Sequence, residues 1–169
     1  MHRVLTKTTY LEMSAPPGND PPAPPASTRI ERLQSPSMAE YRFLYNGVGA
    51  AFQWVDRNLM PDDVLLRIIG DEAVEIHVLH VDGRPAGFVE FDRRTPGQVE
   101  LAYFGLFPDF IGKGLGKYFL SWAVAKAWSF APRRVWVHTC DLDHEAALPN
   151  YLQAGFSTYD ERLLEQVVP

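Results

Sequence analysis

The spacing of apolar residues changes several times along the chain, and each change marks an element. Residues 3–13 (RVLTKTTYLEM) alternate, with Val4, Thr6, Thr8 and Tyr10 on one face, which predicts a strand. Six prolines then fall between Pro16 and Pro25. Proline lacks the backbone donor and fixes φ, so residues 14–28 are expected as an extended loop outside helix and sheet. From Ser37 the spacing becomes helical, with Tyr41, Leu44, Tyr45 and Val48 on one side. Pro61, Asp62 and Asp63 suit the first turn of a second helix that Gly70 can end. Alternation returns in 74–81, and Asp82-Gly83 signals a hairpin into a return strand at 84–92. A further turn at 94–98 leads to a strand at 99–107, stopped by Pro108. Between 114 and 128, Leu115, Phe119, Leu120, Ala123, Val124, Ala127 and Trp128 recur at three and four, a helix with a broad apolar stripe. A strand at 134–139, a short helix within 144–156 with Pro149 inside it and Gly155 as C-cap, and a last strand complete the pattern. These elements predict an α/β fold: a mixed, mostly antiparallel twisted sheet of six to seven strands flanked by helices.

Composition narrows the function. The chain has 169 residues, 46% of them apolar, enough to core one domain over 1–169. Sixteen basic residues against 21 acidic give a net charge of −5, which excludes a chain-wide basic surface for nucleic acid but not a local basic spot for a small anion. Cys140 is the sole cysteine, so neither an internal disulfide framework nor a four-cysteine zinc site can form. No apolar run reaches the ~20 residues of a membrane span. The expectation is a soluble, cytoplasmic protein without nucleic-acid or membrane partners.

The segment that changes this picture is 107–117, FPDFIGKGLGK. A strand ends, Gly112, Gly114 and Gly116 alternate, and a helix begins. Glycine lets the backbone turn sharply and approach a ligand. The first N–H groups of a helix lack internal partners and sit at its positive end, where a phosphate or pyrophosphate fits. Lys113 and Lys117 add cationic donors. The spacing G-x-G-x-G is not the dinucleotide fingerprint G-x-G-x-x-G, and no G-x-x-x-x-G-K-[ST] loop exists.

Strand, IGKGLGKYFL, helix, strand and then YLQAGF resembles the GNAT N-acetyltransferase superfamily over roughly residues 74–160. The resemblance implies acetyl-coenzyme A as co-substrate, with no metal. It implies a pyrophosphate held by the turn, in which Gly114 and Gly116 match the two small positions and Ile111 stands where Gln or Arg is usual. The cofactor-binding set is then Leu106, Phe107, Ile111, Gly112, Lys113, Gly114, Leu115, Gly116 and Lys117. It further implies that the strand at 99–107 splays from its neighbour at 134–139 and that pantetheine lies in the gap, with the splay expected at Gly105 and Leu106. The N–H of Leu106 would face the thioester oxygen.

Amide formation also needs a neutral amine and a protonated leaving thiolate. An alkylamine titrates near 10.4, so only about one molecule in a thousand is nucleophilic at neutral pH. Glu100, six residues before Leu106 as in histone-acetylating members, is the candidate base, directly or through a water, with Glu90 in reserve. Alternation would put Glu100, Ala102 and Phe104 on one face. Tyr151, which opens Y-x-x-x-G-F, is the candidate acid toward sulfur. His144 stands where many relatives carry an asparagine that contacts pantetheine.

Two other chemistries compete within HTCDLDH (138–144). His138, Cys140, Asp143 and His144 are all possible metal ligands, and Cys140 could be a nucleophile beside a histidine. On the acceptor side, Tyr45 and Trp54 are the substrate-binding candidates, with Tyr41, Phe52, Asp56 and Glu40 near them. The expected activity is transfer of acetyl to a primary amine, on a small molecule or a peptide, by a monomer or homodimer. The alternative is a non-catalytic acyl-coenzyme A sensor of the same fold.

Overall fold

A computed structural model describes residues 1–169. Seven strands form one sheet: β1 (His2–Met13), β2 (Thr28–Arg32), β3 (Val74–Val81), β4 (Arg84–Asp92), β5 (Gln98–Leu106), β6 (Arg134–Cys140) and β7 (Ser157–Val168). Five helices accompany them: α1 (Met38–Gly49), α2 (Asp56–Leu59), α3 (Asp62–Ile69), α4 (Leu115–Ser129) and α5 (Ala147–Ala154). The strand order is β2-β3-β4-β5-β6-β1-β7. Every neighbouring pair is antiparallel except β5 and β6. The expected α/β architecture is thus present, with β2 and α2 as short elements that hydrophobic spacing did not single out.

Local chemistry sets the ends of these elements. Ser37 caps α1: its Oγ accepts from the N–H of Glu40 at 3.1 Å, while the Glu40 carboxylate accepts from the Ser37 N–H at 3.4 Å. Residues 14–27 lie outside helix and strand, as the proline run predicts. Gly155 ends α5 in the left-handed region at φ +112°.

The sheet carries a separate apolar core on each face. Tyr41, Leu44, Tyr45 and Val48 of α1 and Leu65 and Ile69 of α3 pack on Ile76, Val78 and Phe88. On the opposite face, Phe119, Leu120, Ala123, Val124 and Ala127 of α4 join Tyr151 and Phe156 over Val89, Phe91, Leu101, Val135 and Val137.

One irregularity decides which side chains meet. Glu90 pairs with Tyr103 and Phe91 with Leu101, so Ala102 is an extra residue in β5. The bulge reverses the alternation. Glu100 shares a face with Tyr103, toward α1, whereas Phe104 turns to the other face, where its ring lies 5.3 Å from that of Phe119. The expected alignment of Glu100 with Phe104 is therefore corrected by a single inserted residue.

Candidate active site

Strands β5 and β6 pair at only three positions, Gln98 with Arg134, Val99 with Val135 and Glu100 with Trp136. Beyond Glu100 they diverge, although each continues for several residues. The splay therefore begins five residues earlier than Gly105, where the sequence placed it. Gly105 and Leu106 still pair with β4, opposite Phe88 and Gly87.

A cavity of about 500 Å³ occupies the opening, within the range of small-molecule sites. Its walls are Leu101–Leu106 on one side and Val137, His138 and Cys140 on the other. At one end lie Ile111, Gly112, Gly114, Gly116 and Lys117, and at the other Tyr45, Trp54, Asp56 and Asp143. Tyr151 and Leu120, both of the α4-side core, also line it.

The glycine turn has the form a diphosphate requires. Gly112 and Gly114 adopt φ of +82° and +77°, and a Cβ built on either would meet nothing within 4 Å. The space above the turn is open, and side chains at these two positions would be strained. Gly114 is the N-cap of α4 and supplies no side-chain acceptor, so the helix begins with unsatisfied N–H groups beside Lys117. Three residues of the expected set sit differently. The Lys113 ammonium lies 5.6 Å from the Phe110 ring, outside the cavity lining. Leu115 is buried in the core and can offer the ligand only its backbone. Phe107 packs under α1, 5.5 Å from the Phe43 ring, and leaves the lining as well.

Backbone direction along β5 bears on the donor strand. The N–H of Phe107 donates to the Ala86 carbonyl at 2.8 Å, toward β4. Alternation then turns the N–H of Leu106 the opposite way, into the gap.

The two carboxylates considered as bases occupy different settings. Glu90 is wholly buried. Its Oε1 accepts from the Tyr41 hydroxyl and its Oε2 from Arg57 Nη2, both at 2.6 Å. Burial pushes its carboxyl upward while Arg57 pulls it down, and it does not line the cavity. Glu90 is a structural anchor and no longer a reserve base. Glu100 stands at the apex of the splay, just behind the lining, with a side chain 20% exposed. Burial first, and then the neighbouring Asp92 and Glu90, push its carboxyl up to about 7. His138 Nδ1 lies 3.7 Å from Glu100 Oε1.

Tyr151 is buried, its ring edge-on to Phe104 and Phe156, and burial drives its hydroxyl well above the ordinary tyrosine value. It stays protonated at any working pH.

The end of the cavity away from the glycine turn is an aromatic wall. Tyr103 lies 5.1 Å from both Tyr45 and Trp54. Asp143 ties this wall to the end of β6: its carboxylate accepts from Trp54 Nε1 at 3.3 Å, from the Cys140 N–H at 3.1 Å and from the Thr139 hydroxyl. These bonds also explain why HTCDLDH forms no metal cluster. Asp143 is committed to three donors, His144 Nδ1 accepts from the Ala146 N–H, and no three potential ligands converge. Burial raises the Cys140 thiol, which opposes the thiolate that a nucleophile needs. Sequence reasoning missed Tyr103, and weighed Asp143 only as a metal ligand and His138 only as a ligand or as a partner of Cys140. The polar position of His138 in an otherwise β-forming strand was the available signal.

The model of the acetyltransferase (GNAT) family matches residues 41–156. No curated protein matches the chain. Among solved structures, a GCN5-related N-acetyltransferase from Sphaerobacter thermophilus is 18% identical at a TM-score of 0.69, covering 95% of this chain and 51% of its own. An IAA acetyltransferase from Bacillus cereus is 19% identical at 0.61, covering 79% of each chain. An aminoglycoside acetyltransferase from an uncultured soil metagenomic sample, solved with trehalose, is 14% identical at 0.61, covering 76% of this chain and 88% of its own. The chain spans 60% of a Staphylococcus epidermidis protein of unknown function and about half of the Sphaerobacter protein. No helix is long and apolar enough to cross a membrane.

Proposed function

The chain belongs to the acetyltransferase (GNAT) family, and from that premise we propose that it transfers the acetyl group of acetyl-coenzyme A to a primary amine by direct attack in a ternary complex. One observation carries the reading. A single cavity runs from the glycine turn, through the β5/β6 opening, to the aromatic wall, so a donor and an acceptor can meet without leaving it.

The glycine turn and Lys117 hold the diphosphate, and the walls of the gap hold the pantetheine arm. When bound, acetyl-coenzyme A supplies a thioester whose acyl carbon can pass to nitrogen with release of the thiol. The chain's own residues do the remainder. The Leu106 N–H donates to the oxygen that gains charge. Tyr45, Trp54 and Tyr103 orient the acceptor, and Asp56 favours a cationic one. Glu100, at the apex of the splay, is the base that takes up the proton that makes the amine unreactive. Tyr151 protonates the departing sulfur and recovers its proton from the acylated nitrogen. Overall, an ammonium and the thioester give an amide, a thiol and one proton.

A thiol-release assay across an amine panel tests the reading. Binding with no turnover on any amine would leave a sensor instead. Coenzyme A at ~100 times its dissociation constant should stabilise the fold by about 2.7 kcal/mol. Gly114→Ala should weaken coenzyme A binding by tenfold or more in calorimetry, because the methyl enters the open space above the turn. It should also lower the melting temperature of the free protein by a few degrees, from about 1 kcal/mol of backbone strain. Tyr151→Phe should cut kcat about tenfold. That is less than most general acids lose, since a thiol near pKa 8.5 needs little help to leave.

A further inference from the structure

Between the strongest base in the site and the place an amine can reach stands an imidazole. Glu100 lies behind the cavity wall, whereas His138 is part of it. Both project from the face of the sheet that bears α1, on the adjacent strands β5 and β6. His138 is two residues beyond Trp136, the residue paired with Glu100, and so one side-chain step further into the opening. Its Nδ1 lies 3.7 Å from Glu100 Oε1, a separation that tightens readily when a site closes on its substrates. Tyr10 on β1 lies against one side of the imidazole, with ring centroids 5.7 Å apart, and Trp136 stacks at 6.1 Å. These contacts fix the plane of the ring. We propose that His138 is the group that takes the proton from the acceptor amine, through Nε2, and passes its own Nδ1 proton to Glu100, so that Glu100 acts through His138 and not on the amine itself.

The proposal rests on the acetyl-transfer reading and assigns a residue to its proton step. That step is a double proton transfer. The ammonium N–H bond breaks as Nε2–H forms, Nδ1–H breaks as the Glu100 O–H forms, and the imidazole is neutral before and after. The charges around the pair suit this direction. Burial, and then Asp92 and Glu90 on β4, raises the Glu100 carboxyl to about 7, against Arg57 on α2 and Arg94 after β4. The histidine is held below its ordinary value by desolvation, with Asp143 and Asp56 as the opposing charges. A proton arriving on the ring is therefore more stable one step further, on the carboxylate.

The experiment combines titration of the free protein with kinetics. In the unliganded wild type, the ¹⁵N imidazole signals of His138 should move in two steps as pH rises, one of them near 7 where Glu100 ionises. Glu100→Gln should abolish the step near 7, a change that a purely structural role for either residue would not produce. His138→Gln should lower kcat/KM by about 10²-fold at neutral pH. The loss should shrink toward pH 10, where the amine is already neutral. Glu100→Gln added to His138→Gln should cost less than twofold more, because the two act as one unit. Acetyl-coenzyme A affinity, read by calorimetry, should be unchanged in Glu100→Gln, whose side chain lies outside the cavity lining. A titration of His138 blind to Glu100, or a full additional loss in the double variant, would overturn the relay and leave acetyl transfer standing. Absence of turnover in the wild type on every amine would overturn the acetyl-transfer reading itself, and the relay with it.

Discussion

Replacing Glu100 by Gln is expected to make the protein more stable and less active at the same pH. The carboxyl titrates near 4.5 in the unfolded chain and at about 7 in the folded one. Between those values the unfolded chain has already released the proton that the folded chain still holds. Stability therefore falls as pH rises from about 4.5 to about 7, and is flat on either side. Glutamine cannot ionise and escapes this loss. Urea unfolding should show the variant and the wild type alike near pH 4, with a gap in favour of the variant that opens to at most about 3 kcal/mol above pH 7. In the same window its turnover should fall about 10²-fold. A gap that stayed constant with pH would mean that Glu100 does not carry the raised carboxyl. A stability gain without loss of turnover would remove it from the proton step. The two readings together describe a residue held in a setting the fold would prefer not to have.

The second large effect belongs to Arg57. Its guanidinium meets Glu90 at 2.6 Å with both side chains almost wholly buried, and Tyr41 completes the carboxylate's partners. Arg57→Met should destabilise the fold by about 3–5 kcal/mol, since it leaves a buried charge uncompensated. For a chain of this length that is a fall of ten degrees or more in melting temperature. Without Arg57, the strongest force opposing burial is gone, and the Glu90 carboxyl rises further and takes up a proton. A carboxyl raised in the folded state stabilises at low pH and ceases to do so as pH increases, so the deficit should be smaller near pH 5 than at pH 8. Changing both partners, Arg57→Met with Glu90→Met, should recover most of the loss, because an apolar pair of similar volume owes no desolvation. If the double variant were as unstable as the single one, the damage would lie in packing around Tyr45 and Tyr103 and not in charge.

Much of this molecule could be read from spacing and turn chemistry. The alternation in 74–81 and 84–92, the Asp82-Gly83 turn between them, the Ser37 cap and the glycine turn before α4 are all local signals, decided within a few residues. What escaped was decided by partners far away in sequence. Nothing near Ala102 announces a bulge, because the extra residue exists only relative to β4. That residue separated Glu100 from Phe104. Where β5 and β6 part depends on a parallel register between segments some 35 positions apart, and so the splay was placed five residues late. His138 was visible as a polar residue in an apolar strand, but its neighbour Glu100 comes from another strand. Arg57, in a stretch without strong periodicity, pairs with Glu90 across the core. The roles of Phe107 and Lys113 were assigned by position in the turn, and packing under α1 and on Phe110 redirected them.

The placement of β1 has a consequence for how the molecule comes into being. Residues 2–13 lie between β6 and β7, hydrogen-bonded to both. The half of the sheet carrying His138 is thus stitched together from segments far apart in the described chain, across 120 or more intervening residues, while the half carrying Glu100 is a run of neighbouring hairpins. Local hairpins close quickly and distant strands slowly. A ribosome would deliver β3, β4 and β5 ready to pair, yet hold β1 waiting until β6, about 120 residues later, had emerged.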